Sequence, residues 1–105
     1  MKSPIGQPQG TRVQAIGMSW YSEADYAAAR AIMADGDRLP VTYAAWLARA
    51  EQQLRRLEGE GHKIIRARID PATFPAWCAS RGLTQIDAKA RTLWAADYAA
   101  RQIGL

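Results

Sequence analysis

The stretch Gly61–Pro71, GHKIIRARIDP, is the strongest strand signal in the 105-residue chain, and it decides the predicted fold. Apolar and charged side chains alternate along it, in the order Ile65, Arg66, Ala67, Arg68, Ile69 and Asp70. Successive side chains of a strand point to opposite faces of the sheet. The pattern therefore predicts a strand with an apolar face in the core and a charged face that is at least partly solvated.

This strand needs a partner, because a lone strand leaves its backbone N–H and C=O groups unpaired. One candidate is Thr11–Ile16 of the same chain, a run that ends where Gly17 breaks it. The other is the same strand of a second copy, paired antiparallel about a two-fold axis. A centre near Arg68 would then place Arg66 opposite Asp70, so that opposite charges meet. The sequence favours this homodimer, with intrachain pairing as the alternative.

Two helices are predicted before the strand. Ser22 is a good N-cap for the first, which ends at the turn residues 35–37. Thr42 begins the second, whose apolar residues recur at helical spacing until Gly59 or Gly61 ends it. Arginine and glutamine side chains occupy the other face of this second helix, so one face is predicted to be buried and the other exposed to solvent.

Two further helices are predicted after the strand. Asp70 caps a short turn that leads into a helix over Pro75–Arg81. The last helix begins after either Thr84 or Asp87 and runs to about Gln102. The predicted class is therefore α+β and mostly helical, in the order α-α-β-α-α, with a minimal two-stranded sheet. We expect residues 1–17 to form a mobile tail with a possible edge strand, and residues 18–105 to form one domain.

Composition excludes several classes of protein. An apolar fraction of 49% is enough for a single core, and no apolar run approaches the length of a membrane span. The N-terminal ten residues lack the apolar core of a secretory signal, and the single cysteine, Cys78, cannot form an internal disulfide. We therefore predict a cytoplasmic protein that has no membrane partner.

No arrangement of residues predicts catalysis. The lone histidine, His62, lies in a turn, and Cys78 lies beside a tryptophan on an apolar helix side. No cluster of histidine, cysteine and carboxylate residues has metal-ligand spacing, and no glycine pattern matches a phosphate-binding loop. We therefore predict no metal, no cofactor and a non-enzymatic interaction or accessory role, while an enzymatic activity stays open.

DNA binding is the alternative function. Residues 75–95 have the pattern of a helix-turn-helix, in which Thr84 caps a second helix that offers Gln85, Lys89 and Arg91 to the major groove. A net charge of +4 is compatible with a nucleic-acid partner, although the basic residues are spread along the chain. An ordinary corner between two helices explains the same pattern.

The four tryptophans form another group of candidates. They lie at apolar positions on separate predicted elements, and they are Trp20, Trp46, Trp77 and Trp94. Core positions explain them best, and a pocket for a small molecule among them is the alternative. A basic surface of Arg49, Arg55, Arg56 and the strand arginines could contact RNA or phosphate, but solvated faces explain it more economically.

Four motifs resemble a family of short uncharacterised bacterial proteins. They are SWYSEADYAAAR from Ser19, DGDRLPVTYAAWLARAE from Asp35, IDPATFPAWCASRG from Ile69 and DAKART from Asp87. The resemblance covers Trp20 to about Gln102. It implies a bacterial cytoplasmic setting, and it implies no activity, cofactor or catalytic residue.

Overall fold

The computed structural model describes residues 14–103, which form two strands and four helices. The strands are β1 (Gln14–Trp20) and β2 (His62–Arg68), and the helices are α1 (Glu23–Ile32), α2 (Tyr43–Gly59), α3 (Phe74–Ser80) and α4 (Ala88–Gln102). A short 3-10 turn, Gly36–Arg38, connects α1 to α2. The predicted α+β class is confirmed. The predicted order is incomplete, because β1 precedes the first helix and the order is β-α-α-β-α-α.

The two strands pair in parallel, with Gln14 opposite His62 and Trp20 opposite Arg68. An N-terminal segment of the same chain therefore supplies the ladder, which is the intrachain alternative. The predicted end of that strand at Gly17 is wrong, because β1 continues to Trp20. Residues 1–13 of the predicted tail lie outside the described residues, and residues 14–17 belong to β1. Parallel pairing requires a long crossover, and α1 and α2 form it.

Close packing against α4 explains why a glycine lies inside β1. A Cβ atom at position 17 would collide with the carbonyl oxygen of Ala95 on α4. Glycine therefore lets the helix approach the strand more closely than any other residue would. Ala67 and Ile69 are completely buried on the same face of the sheet, as the alternation in β2 predicts.

The other face of the sheet meets α1 and α2. The rings of Trp20 and Trp46 are 5.1 Å apart in an edge-to-face contact, and Arg68 forms an ion pair with Asp25 of α1. The buried core lies between these layers and α3, and it consists of Tyr21, Tyr26, Ala29, Met33, Trp46, Ala50, Ile69, Phe74, Cys78 and Ala90. Aromatic residues dominate its larger members, and edge-to-face ring contacts stabilise such a core.

The helix starts follow local capping chemistry. Ser22, Thr42 and Asp87 each accept a hydrogen bond from the backbone N–H three residues later. Asp87, and not Thr84, is therefore the N-cap of α4. The α3 helix starts at Phe74, one residue before the predicted start at Pro75, and the Asp70 carboxylate accepts a hydrogen bond from the Ala72 N–H in the preceding turn. No helix within residues 14–103 is long and apolar enough to cross a membrane.

Candidate functional site

A cavity of about 340 Å³ opens beside the end of β1, between α2 and α4. Its apolar wall consists of Met18, Leu39, Trp46 and Ala50, together with Gly17 and Ala95. Its polar lining consists of Ser19, Tyr21, Arg49, Gln53, Arg91 and Thr92. No carboxylate is among these residues, so the charges that line the cavity are positive.

Helical spacing explains how α2 contributes to this cavity. Trp46, Arg49, Ala50 and Gln53 follow one another at intervals of three or four residues, which places them on one side of a helix. Trp46 and Ala50 are buried, whereas Arg49 and Gln53 are exposed. The apolar residues therefore form the inner part of the wall, and the polar residues lie toward solvent.

Arg91 of α4 is held in a bidentate ion pair. Its two terminal nitrogens donate to the two carboxylate oxygens of Asp35, each at 2.8 Å, and one of them also contacts the sulfur of Met33 at 3.4 Å. The Arg91 side chain is only 11% exposed. The hydrogen bonds from Arg91 lower the pKa of Asp35 below its ordinary value, so this carboxylate stays ionised.

Tyr21 lies next to this ion pair and is 2% exposed. Its hydroxyl has no hydrogen-bond partner among the described residues. Burial raises the pKa of Tyr21 to about 12, and the positive charge of Arg91 opposes part of that rise. A buried hydroxyl without a hydrogen-bond partner is uncommon, and each such group in a native structure calls for an explanation.

The parallel ladder decides which peptide groups remain available at the two edges of the sheet. The carbonyl of Trp20 accepts the N–H of Ile69 at 2.9 Å. In a parallel pair, a residue whose carbonyl bonds to the neighbouring strand also directs its N–H there, and the next residue directs both groups outward. Since Trp20 is opposite Arg68, even-numbered residues of β1 and odd-numbered residues of β2 bond within the sheet.

The remaining peptide groups point away from the sheet. In β1 they belong to Ala15, Gly17 and Ser19, and in β2 to His62, Ile64, Arg66 and Arg68. The carbonyl of Arg68 accepts the Trp94 indole N–H at 3.2 Å. Within residues 14–103, the other outward groups make no hydrogen bond. Among residues 14–103, therefore, no backbone group pairs with most of either edge of the sheet.

The residues predicted to form a dimer strand divide between the two faces of β2. Ile65 is partly buried, and Ala67 and Ile69 are fully buried. Arg66 stacks on the Trp20 ring, with its guanidinium carbon 4.8 Å from the ring centre. Asp70 lies just beyond the strand, in the turn before α3. The pairing of this strand with a second copy stays a prediction.

The residues predicted to contact DNA are not equivalent in the structure. Gln85 lies in the connection between α3 and α4, and Lys89 lies in the first turn of α4; both are exposed. Arg91 is occupied by Asp35. The cleft beside Gln85 and Lys89 is also lined by Asp35, Asp37 and Asp87. DNA contact by these residues stays a prediction.

The four tryptophans occupy different environments. Trp46 is buried in the core, and the other three are partly buried. Trp77 and Trp94 contact each other edge to face at 5.2 Å, and Arg81 and Arg101 stack on their outer surfaces. Trp46 is the tryptophan that lines the cavity beside β1.

The lone histidine and cysteine show no catalytic arrangement. One ring nitrogen of His62 lies 3.9 Å from Glu60, and the other is buried without a hydrogen-bond partner among the described residues. Cys78 is 1% exposed, and burial raises the pKa of its thiol. Within residues 14–103, no group of three or more histidine, cysteine or carboxylate residues could hold a metal ion.

Sequence reasoning missed the residues that make the cavity a site. It did not single out Ser19, Tyr21 or Gln53. The spacing of Arg49 and Gln53 with Trp46 along α2 is the signal that could have grouped them. Nothing local connects them to Arg91, because that contact depends on how α4 packs.

Comparisons with known proteins complete this description. No curated protein and no solved structure is significantly similar to the chain. The family described as Domain of unknown function (DUF8829) matches residues 11–104, which is most of the chain. The chain therefore belongs to that family.

Proposed function

We propose that this protein is a non-enzymatic interaction protein that works as a homodimer joined along the outer edge of β2. The observation that carries the proposal is the row of outward peptide groups at His62, Ile64 and Arg66, which have no partner within the described residues. Exposed strand edges of this kind readily pair with another strand. Two copies would form one sheet in the order β1-β2-β2-β1.

The available stretch favours a two-fold axis near Ile64. Pairing about Arg68 would use a carbonyl that already accepts the Trp94 indole N–H, and it would extend into the turn at Asp70. Pairing about Ile64 places the two copies of Ile64 side by side and Arg66 opposite His62. No two arginines are then directly opposite, so like-charge repulsion is small.

Sedimentation velocity over protein concentrations from about 1 to 100 µM tests the dimer, because self-association depends on concentration. Arg66→Pro should weaken it, since the proline removes an N–H that points outward and leaves the β1–β2 ladder intact. Arg66→Ala is the matched control, because it removes the same side chain and keeps the N–H. Ile65→Pro should instead destabilise the fold, because that N–H bonds to β1. A protein that sediments as a monomer throughout this range would contradict the proposal.

DNA binding is the second candidate, supported by the net charge of +4 and the exposure of Gln85 and Lys89. The carboxylates of Asp35, Asp37 and Asp87 in the same cleft oppose the approach of phosphates, which places this function second. Retardation of duplex DNA at low salt, lost in Gln85→Ala/Lys89→Ala, would favour DNA binding. No retardation at low salt would eliminate it.

We also propose a bacterial cytoplasmic setting. The motifs that resemble short bacterial proteins support the bacterial origin. The buried thiol of Cys78 supports a reducing compartment, since nothing in the described chain pairs with it. Fractionation of cells that express the protein, followed by detection with an antibody, checks the location.

A further inference from the structure

Two neighbouring cavities lie along the outer edge of β1, on the opposite side of the sheet from the proposed dimer edge, and together they are called the β1 groove. One of them is the 340 Å³ cavity that Arg49 and Arg91 line. The other is an apolar cavity of about 430 Å³ lined by Ala15, Ile16 and small residues of α4. Gly17 and Thr92 line both cavities, so the two cavities are neighbours along the strand.

The floor of this groove carries backbone groups that are ready to bond. The N–H and C=O groups of Ala15, Gly17 and Ser19 point outward and have no partner within residues 14–103. They are spaced two residues apart, which is the repeat of a strand that pairs with an extended chain. An extended peptide satisfies all of them at once, whereas a compact small molecule reaches only one or two.

The walls of the groove select the side chains of such a peptide. Ala96, Ala99 and Ala100 of α4 form one wall near Ala15, and Ile103 also lines this cavity. Small apolar side chains fit against alanines. At the opposite end, Arg49 and Gln53 are exposed beside Arg91. Arg49 has no ion-pair partner within the described residues, so its charge is available to a ligand.

The charge of the groove distinguishes between possible occupants. Neither cavity is lined by a carboxylate, and Asp35 is already paired with Arg91. A second copy of β1, with the sequence QAIGMSW, contains no acidic residue and could not complement Arg49. A peptide with a carboxylate at one end supplies the missing charge and forms a charge-assisted hydrogen bond with the guanidinium.

We propose that the β1 groove binds an extended peptide segment that ends in an acidic residue and has small apolar residues before it. The peptide adds to the sheet as a third strand, through backbone hydrogen bonds to Ala15, Gly17 and Ser19. Its carboxylate contacts Arg49, and its small side chains pack against α4. This inference is independent of the proposed dimer, because it uses the other edge of the sheet.

Fluorescence polarisation with the full chain and a labelled probe tests this binding. The probe is the peptide Thr-Val-Thr-Ala-Val-Glu with a free C-terminal carboxylate and fluorescein on its N-terminus. One control peptide is amidated and has lysine in place of glutamate. Two further control peptides carry backbone N-methyl groups on alternate residues, the odd-numbered residues in one phase and the even-numbered residues in the other. Each blocks one set of backbone N–H donors and leaves the side chains the same.

Two matched pairs of protein variants locate the site. Arg49→Glu should weaken binding of the probe at least about tenfold, whereas Arg55→Glu, which changes the same charge at an exposed α2 position outside the cavity, should not. Ser19→Pro removes an outward N–H and should also weaken binding, whereas Ser19→Ala should not. Thermal unfolding followed by circular dichroism confirms that each variant is folded.

The outcomes decide the proposal. It is supported if the acidic probe binds, the lysine peptide binds at least about tenfold more weakly, and N-methylation in one phase abolishes binding. It is overturned if the probe does not bind at protein concentrations up to about 1 mM. It is also overturned if Arg49→Glu and Arg55→Glu bind equally well, or if both N-methylated peptides bind as the probe does.

Discussion

The ion pair between Arg91 and Asp35 provides the sharpest test of the structure, because it joins α4 to the turn after α1. We expect the variants Asp35→Asn, Arg91→Met and the double variant to show a strong coupling energy between the two side chains. Removal of one partner leaves the other partly buried without its counter-charge. The double variant loses both, so it should be less unstable than the sum of the single variants.

The structure sets the size of this coupling. The side chains of Arg91 and Asp35 are 11% and 23% exposed, and both hydrogen bonds measure 2.8 Å. The pair therefore lies between exposed pairs, which contribute about 0–1 kcal/mol, and buried pairs, whose disruption costs about 3–5 kcal/mol. We expect a coupling of about 2 kcal/mol and a loss of roughly 2–3 kcal/mol in each single variant. A loss of about 2 kcal/mol lowers the Tm of such a domain by roughly 8–16 °C.

Urea denaturation followed by tryptophan fluorescence at pH 7 measures these free energies of unfolding. The matched control is the pair Arg56–Glu60, whose side chains are 60% and 52% exposed, and whose coupling should be about 0.5 kcal/mol or less. The pKa of Asp35 is lower in the folded state than in the unfolded chain. The stabilisation is therefore complete above the unfolded pKa and disappears as pH falls through the folded pKa.

Two results would refute this reasoning. The first is a coupling between Arg91 and Asp35 no larger than that of the control pair at pH 7. The second is a coupling that persists unchanged in acid, after the Asp35 carboxylate has been protonated.

Three further predictions follow from the same packing. Gly17→Ala should destabilise the fold by about 1–3 kcal/mol in urea titrations, because the new Cβ atom meets the Ala95 carbonyl. The control Gly59→Ala has open space around it and should be neutral or slightly stabilising. Equal effects of the two substitutions would contradict the contact between Gly17 and Ala95. Tyr21→Phe should keep full stability at pH 7, since the hydroxyl has no partner within the described residues. Because the pKa of Tyr21 is raised to about 12, the wild type should lose stability relative to Tyr21→Phe as pH rises above 10, and parallel pH profiles would argue against burial of the hydroxyl. The Cys78 thiol should react with a thiol reagent slowly in the native protein and rapidly in urea, because it is 1% exposed and burial raises its pKa. Rapid reaction in the native protein would place the thiol at the surface.

Most of the helical structure was predictable from short stretches of sequence. Ser22 and Thr42 cap the helices that they were predicted to cap, and α2 ends at Gly59. The reason is that a cap depends on a side chain and on backbone groups only three residues away. The alternation in β2 was equally informative, since it correctly predicted that Ala67 and Ile69 are buried.

The candidate site was much less predictable. Arg91 was predicted to contact DNA, which stays a prediction, and no sequence pattern indicated its ion pair with Asp35, 56 residues away in the chain. Tyr21 and Arg49 meet at one cavity because α2 and α4 pack on either side of the β1 edge. No local pattern encodes such an arrangement, because it depends on the position of whole elements.

The amino-acid sequence alone determined the starts of α1 and α2, the strand β2, the identity of its buried face and the need for a pairing partner. Each depends on interactions within a few residues, or on the rule that buried backbone groups must be hydrogen-bonded. Only the tertiary structure decided that β1 is the partner, that it pairs in parallel and that it passes close to α4 at Gly17. These features depend on how closely α4 approaches the sheet, which is a property of packing between residues far apart in the chain.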